Sequence, residues 1–259
     1  MSFRVIVLGS GTIIPSVERR STALLVEAGE EPFLFDCGPG TLEALAECGV
    51  SFRSLHTVLL THFHPDHSLG LAHLLAALKA DPVAGERHAV AVYGPAGLRG
   101  FVERLHACFS ATVLQPGVLE LVEVGDGMIV PVRGAIAVSA AAASHGGVPA
   151  LAYRISDGSG SVVFTGDGSL TPSLVGFSRR ADVLVAECSF PDTRPAEGHL
   201  TPSDVGRLAS SAAAGRVILV HMYPLFDVED PVAGVKRHYR GPVEVAFDSM
   251  EFDIGPSRP

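Results

Sequence analysis

The apolar positions of this chain fall in short, nearly continuous runs separated by turn-forming residues, a pattern that predicts many strands buried on both faces. Residues 3–8 and 22–27 predict strands joined by a loop containing Gly9-Ser10-Gly11-Thr12. Phe33-Leu34-Phe35 predicts a short strand that ends at Asp36. Gly38-Pro39-Gly40 then turns the chain into a helix over 41–47, closed by Gly49. Thr57-Val58-Leu59-Leu60 predicts a strand, and Leu69 to Lys79 an alanine-rich helix. A strand over 89–93 precedes a helix that opens at Gly94-Pro95 and runs to about Phe109.

The second half predicts strands over 118–124, 128–132 and 135–143, the last running into Ser144-His145. Strands over 150–156 and 161–165 flank Asp157-Gly158-Ser159-Gly160, a hairpin signal, and the second runs into Gly166-Asp167. A strand over 182–186 ends at Glu187. Thr201 is placed to cap a helix over 202–213, and a strand over 216–220 ends at His221. The tail adds a short helix and a strand near 243–247. Strands interleaved with helices predict an α/β protein, and with no repeat or linker in view a single domain over 1–259 is expected.

Composition narrows the picture. No apolar run approaches the length of a membrane span, and the N-terminal segment lacks the apolar region and cleavage site of a signal peptide, so a cytoplasmic protein is expected. A formal net charge of −9 opposes a general nucleic-acid binder, which needs a basic footprint. Cys37, Cys48, Cys108 and Cys188 are scattered with no CxxC pair and read as reduced thiols, mostly buried. Gly9-Ser10-Gly11-Thr12 lacks the Lys-Ser/Thr ending of a P-loop, which assigns its glycines to a turn.

Chemistry concentrates in Thr61-His62-Phe63-His64-Pro65-Asp66-His67. Imidazole and carboxylate are the usual ligands of zinc and other borderline divalent metals. In extended chain His62 and His64 share a face and can point at one ion. Pro65 breaks that geometry and suits a first helical turn, so Asp66 and His67 leave in another direction and can serve a second ion. Other polar residues repeat one placement, just past the downstream end of an apolar strand: Asp36, His145, Asp167, Glu187 and His221. Strand ends on a common sheet edge are where α/β proteins assemble sites from distant sequence.

His62-x-His64-x-Asp66-His67, followed in order by His145, Asp167 and His221 and preceded by Asp36-Cys37-Gly38, resembles the metallo-β-lactamase superfamily over nearly the whole chain. The resemblance implies a four-layer αββα sandwich, two mixed β-sheets flanked by helices, with two divalent metal ions at one edge. Carried over, one ion would take His62, His64 and His145, the other Asp66, His67 and His221, and Asp167 would bridge them. Asp36 would buttress the histidine-rich loop by hydrogen bonds. Zinc is expected, and mixed imidazole and carboxylate ligands also admit manganese or iron. Two such ions share a hydroxide and polarise the scissile group.

Glu187-Cys188-Ser189-Phe190 followed by Gly198-His199-Leu200-Thr201-Pro202 is similar to the phosphodiesterase branch, which includes ribonuclease Z. There the matching histidine contacts the phosphoryl group or protonates the leaving oxygen, and the matching glutamate orients it. Asp66, His199 and Glu187 are the residues expected to take part in catalysis. The chain departs from ribonuclease Z in one respect. That family inserts a long tRNA-binding arm after the third histidine motif, whereas His145 to Asp167 here is filled by two strands and a tight turn. The expected substrate is therefore a small or cyclic phosphodiester, with tRNA 3′-processing as the alternative and a lactone or thioester as a further one. A non-catalytic binding member is disfavoured by the intact ligand set. A homodimer is expected from the resemblance alone.

Arg19, Arg20, Arg179, Arg180 and Arg194 read as a solvated face able to hold a phosphate, and Tyr223 as a packing residue near the site. The remaining histidines, His56, His73, His88, His106 and His238, fall outside any match and read as surface or packing residues.

Overall fold

In a strand with both faces buried, alternate residues must enter two different cores. In the computed structural model, which describes residues 3–29, 31–81, 89–109, 119–132, 136–226 and 229–254, the first strand does this. Within β1 (Phe3–Gly9), Val5 and Val7 enter the core between two sheets, while Ile6 and Leu8 enter a second core under helices. β2 (Ala23–Ala28), β3 (Glu31–Phe35), β4 (Thr57–Leu59), β5 (Val90–Gly94) and β6 (Leu119–Glu123) continue the sheet. Against its outer face lie α1 (Thr41–Glu47), α2 (Pro65–Ala80) and α3 (Leu98–Cys108).

The second sheet contains β7 (Ile129–Val130), β8 (Ala137–His145), β9 (Val148–Ser156), β10 (Ser161–Phe164), β11 (Val183–Glu187), β12 (Arg216–Val220) and β13 (Val243–Val245). α4 (Pro172–Phe177), α5 (Pro202–Ala212) and α6 (Pro231–Lys236) accompany it. Its strands alternate like β1: Val183 and Val185 face the inter-sheet core, Leu184 and Ala186 the helices. β14 (Met250–Asp253) returns to the first sheet beside β1. Among the described residues, each sheet has seven strands, ordered 14-1-2-3-4-5-6 and 13-12-11-10-9-8-7. Each is antiparallel in one half and parallel in the other: β3 to β6 run parallel in the first sheet, β10 to β13 in the second. The layers are helices, sheet, sheet, helices, as the resemblance implied.

Several sequence expectations shift in detail. β4 ends at Leu59, and His62 to His64 lie in a loop rather than extended strand. α2 begins at Pro65, which takes the first-turn place expected of it, with Asp66 beside it, so the helix extends four residues ahead of Leu69. The six-residue α4 and β14 carry too few periodic positions to be read in advance. Val118, Ala135 and His88 lie outside the described residues. Among the described residues, no helix is long and apolar enough to cross a membrane. Cys37 and Cys188 are buried, Cys48 is half-buried and Cys108 exposed, and all four are free thiols.

Close backbone contacts hold the edge where the strand ends meet. Cys37 N donates to His67 O at 2.7 Å and Gly70 N to Cys37 O at 2.8 Å, docking the chain after β3 onto α2. Gly70 permits this: a Cβ there would stand 2.4 Å from Gly38 O and 2.7 Å from Cys37 O. Across the sandwich, Leu151 N donates to Thr61 O at 2.9 Å, and the buried Tyr153 hydroxyl donates to Leu60 O at 3.0 Å.

Gly70→Ala is expected to destabilise the protein by about 1–3 kcal/mol through overpacking, despite the better helix propensity of alanine. Gly176→Ala in α4, where a Cβ meets nothing within 4 Å, is expected to be neutral or to stabilise by about 0.5–1 kcal/mol. Urea denaturation of both variants checks this, and equal effects would contradict the docking of α2 on the Cys37–Gly38 backbone.

Candidate metal centre

Six strand ends bring polar residues to one edge of the sandwich. Asp36 follows β3, the histidine loop follows β4, His145 closes β8, Asp167 follows β10, Glu187 closes β11 and His221 follows β12. Asp36 and His221 take left-handed backbone angles, φ 57° and 53°, which L-residues adopt only where surrounding contacts enforce them. Asp36 N is held by Leu59 O at 2.9 Å, and His221 N by Ser10 O at 2.9 Å. The chain therefore turns sharply at each strand end and aims the side chain along the edge.

The ring nitrogens of the histidines divide into two sets. Nδ1 of four rings is engaged by the protein: His62 with Thr61 Oγ1 at 3.0 Å, His67 with Asp36 Oδ2 at 2.7 Å, His145 with Gly198 O at 2.7 Å and His221 with Ser189 Oγ at 2.8 Å. Their Nε2 atoms face inward. His221 Nε2 lies 3.2 Å from Asp66 Oδ2, and His145 Nε2 lies 3.2 Å from Nδ1 of His64, whose ring is reversed. Asp167 Oδ2 is central: His67 Nε2 and His221 Nε2 each approach it to 3.5 Å, and His62 Nε2 to 4.0 Å.

Among the described residues, four groupings of possible ligand atoms have all members within 4.8 Å of one another: His62/His64/His145, Asp66/His67/His221, His62/His67/Asp167 and Asp167/Glu187/His199/His221. The donor set fits divalent metal on three counts. It contains imidazole and carboxylate only, the set preferred by zinc and its neighbours. His62 Nε2, His67 Nε2 and Asp167 Oδ1 are buried without a hydrogen-bond partner, a cost of about 1–3 kcal/mol each that a coordinated cation removes. The titration directions agree. Desolvation opposes a charge on His67, yet Asp167 and Asp36 together hold its imidazole well above the usual histidine range. Burial likewise opposes ionisation of Asp167, yet His221, His67 and His62 hold its carboxyl well below the usual range. His62 is driven the other way, well below the usual range, by desolvation and by neighbouring imidazoles. The carboxylates of the edge thus call for positive charge, which a bound cation would supply in place of the His67 proton.

His199 stands at the rim, its side chain 14% exposed. Its Nδ1 donates to Glu187 Oε2 at 3.0 Å, and its ring centroid lies 4.8 Å from that of His145 and 6.0 Å from that of His221. Desolvation lowers its affinity for a proton, but Glu187 outweighs this and holds the imidazole above its ordinary value. Glu187 is buried and also accepts from Gly168 N at 2.7 Å and from the Ser189 hydroxyl. Tyr223 stacks on Phe190, centroids 4.7 Å apart, and its ring lies 6.4 Å from that of His199, so it both packs and lines the rim.

All eight residues tied to metal binding or its support, and both rim residues, come together. The arginines do not. Arg19 is taken up by Ser10 Oγ and Ala246 O, Arg20 pairs with Glu47 and Asp248, and Arg179, Arg180 and Arg194 are exposed. Sequence reasoning gave no role to the Thr61 and Ser189 hydroxyls or to Gly198 O, since nothing marks such groups until their neighbours are placed.

Comparison with known proteins supports the same reading. A curated ribonuclease Z from Myxococcus xanthus (strain DK1622) is 26% identical over 97% of this chain and 97% of its own length. The probable metallo-hydrolase YhfI of Bacillus subtilis (strain 168) is 28% identical over 94% of this chain and 96% of its own. The crystal structure of YhfI superposes with a TM-score of 0.87 at 25% identity, covering 98% of this chain and all of that one. A diphosphatase of the PhnP family shares the fold, with TM-score 0.76 and 19% identity over 98% of this chain and 99% of that one. The profile of the Beta-lactamase superfamily domain matches residues 32–222, which span Asp36 to His221. The chain therefore belongs to the metallo-β-lactamase superfamily, as a metal-dependent hydrolase of its ribonuclease Z- and YhfI-like branch.

Proposed function

We propose that this hydrolase cleaves a small phosphodiester at a dinuclear centre, with His62, His64 and His145 holding one ion, Asp66, His67 and His221 the other, and Asp167 both. The observation that carries the reading is the His199–Glu187 pair at the rim of the ligand set. Hydrolysis of a phosphodiester expels an oxygen that needs a proton, and a histidine held to a buried carboxylate is a suitable donor near neutral pH. Divalent ions held by these residues would supply Lewis acidity and an activated water.

The protein's own residues supply the rest. Glu187 fixes His199 through Nδ1, which leaves Nε2 as the nitrogen that hands over a proton. As the oxygen of water joins phosphorus and gives up its extra proton to solvent, the bond to the leaving oxygen breaks, the Nε2 proton passes to that oxygen, an alcohol departs, and His199 regains its proton from solvent. Glu187 stabilises the protonated imidazole beforehand and orients it afterwards. Asp36 and Thr61 keep His67 and His62 in register.

Substrate size follows from the loops. β8 and β9 are joined through Gly146-Gly147, and β9 and β10 through Asp157 to Gly160, so no arm for a folded RNA stands after His145. The net charge of −9 points the same way. The relatives named ribonuclease Z and the neighbour described as a diphosphatase both concern phosphorus–oxygen bonds, which favours a phosphodiester over a lactone or thioester. Ribonuclease Z-type tRNA processing is the second reading, favoured by the first of these names.

Metal-loaded protein assayed on bis(p-nitrophenyl) phosphate, a lactone, a cephalosporin and a precursor tRNA is expected to turn over the phosphodiester. Turnover of the lactone without the phosphodiester would contradict the proposal, and specific tRNA cleavage would move it to the second reading. Asp167→Ala is expected to lose bound metal, by elemental analysis, together with activity. His199→Ala is expected to keep its metal and lose about 100- to 10,000-fold in kcat on an alkyl ester, with a smaller loss on a p-nitrophenyl ester, whose leaving group needs no proton. Equal losses on both esters would remove His199 from the proton-transfer role.

A further inference from the structure

Two of the four buried carboxylates at the site, Asp36 after β3 and Glu187 at the end of β11, are connected to imidazoles in the same manner. Asp36 accepts directly from His67 Nδ1 at 2.7 Å. It also accepts from the Thr61 hydroxyl, at 3.0 Å and 2.9 Å to its two oxygens, and that hydroxyl contacts His62 Nδ1 at 3.0 Å. Glu187 accepts directly from His199 Nδ1 at 3.0 Å and from the Ser189 hydroxyl, which contacts His221 Nδ1 at 2.8 Å. Each carboxylate therefore holds one imidazole by itself and a second through one hydroxyl.

The direction of the second chain is forced. A carboxylate can only accept, so the single Ser189 proton points at Glu187. The hydroxyl then has only lone pairs left for His221, so His221 must carry its proton on Nδ1. On the neutral ring Nε2 then holds the lone pair, and it is the atom that a cation beside Asp66 Oδ2 (3.2 Å away) and Asp167 Oδ2 (3.5 Å away) would engage. Ser189 is fully buried and His221 nearly so, which leaves no ready substitute for this acceptor. The backbone reinforces the arrangement, since Tyr223 N donates to Ser189 O at 3.2 Å and Cys188 N to Val220 O at 2.9 Å on either side of His221.

We propose that Ser189 is a positioning residue that sets the tautomer of His221 and so tunes one ion of the pair, through the same carboxylate that holds His199. The inference rests on the dinuclear reading above. It makes Glu187 the shared support of the rim histidine and of one metal ligand, matching the role of Asp36 on the other side.

The test is a Zn²⁺ titration of metal-depleted wild type and Ser189→Ala by calorimetry, together with ¹⁵N NMR of the histidine rings and a thermal melt of both metal-depleted forms. Wild type is expected to bind two ions. Ser189→Ala is expected to bind one with unchanged affinity and the other about 10- to 100-fold more weakly, the range seen when a ligand's hydrogen-bond partner is removed. One ring is expected to lose its fixed Nδ1–H signature, while the two metal-depleted forms melt alike. Two affinities equal to wild type would overturn the Ser189 role and leave the proposed function standing. Equal weakening of both ions with a lowered melt would also overturn it, by showing a general packing role. A wild type that binds fewer than two ions would overturn the dinuclear reading and this inference with it.

Discussion

A carboxylate taken out of water costs several kcal/mol unless its oxygens are bonded, and the fold is arranged around meeting that demand for Asp36. Its oxygens accept from Thr61 N at 2.7 Å, from the Thr61 hydroxyl and from His67 Nδ1. Burial pushes the Asp36 carboxyl up, against the pull of His67 and Thr61. Those partners come from the loop after β4 and the first turn of α2, so satisfying one side chain fixes how strand, loop and helix meet. The left-handed backbone at Asp36 is the local cost of that arrangement. Removing one partner from such a buried group typically costs about 3–5 kcal/mol, more than most single contacts in a core.

The same constraint explains why the site sits at an edge shared by both sheets. Each sheet ends its parallel half in a run of strand termini pointing the same way. Stacked face to face, they deliver Asp36 and the histidine loop from one sheet and Asp167, Glu187 and His221 from the other, while β8, antiparallel to β9 and so aligned with β10, adds His145. Leu151 N to Thr61 O and Tyr153 to Leu60 O tie the two edges together beside the ligands. Gly166 allows the approach, since a Cβ there would stand 2.8 Å from Leu151 O and from Thr61 Cβ. The resulting cluster is poor in hydrogen-bond partners on its inner side, and this destabilising feature is what a bound cation reverses.

Much of this was legible in the sequence, for physical reasons. Strands buried on both faces leave unbroken apolar runs, so a polar residue just past each run stands out. Asp36, Asp167, Glu187 and His221 were found this way, and the His62–His67 spacing added the metal chemistry. What stayed hidden depends on the path of the chain through space. His62 and His64 converge from a loop rather than through strand alternation, and His145 and Asp167 complete their surroundings. Thr61, Ser189 and Gly198 act through common groups that carry no signal until His62, His221 and His145 are set against them. Arg19 and Arg20 looked available for a phosphate, but segments near the C-terminal end of the described chain, Ala246 and Asp248, occupy them.

The proposed dinuclear centre would hold two ions at one edge of this fold, with Asp167 between them. The most direct measurement is anomalous diffraction at the zinc edge from crystals of zinc-loaded protein. Two peaks are expected, one within reach of His62, His64 and His145 and one within reach of Asp66, His67 and His221, both adjoining Asp167. A single peak, or peaks away from these residues, would contradict it.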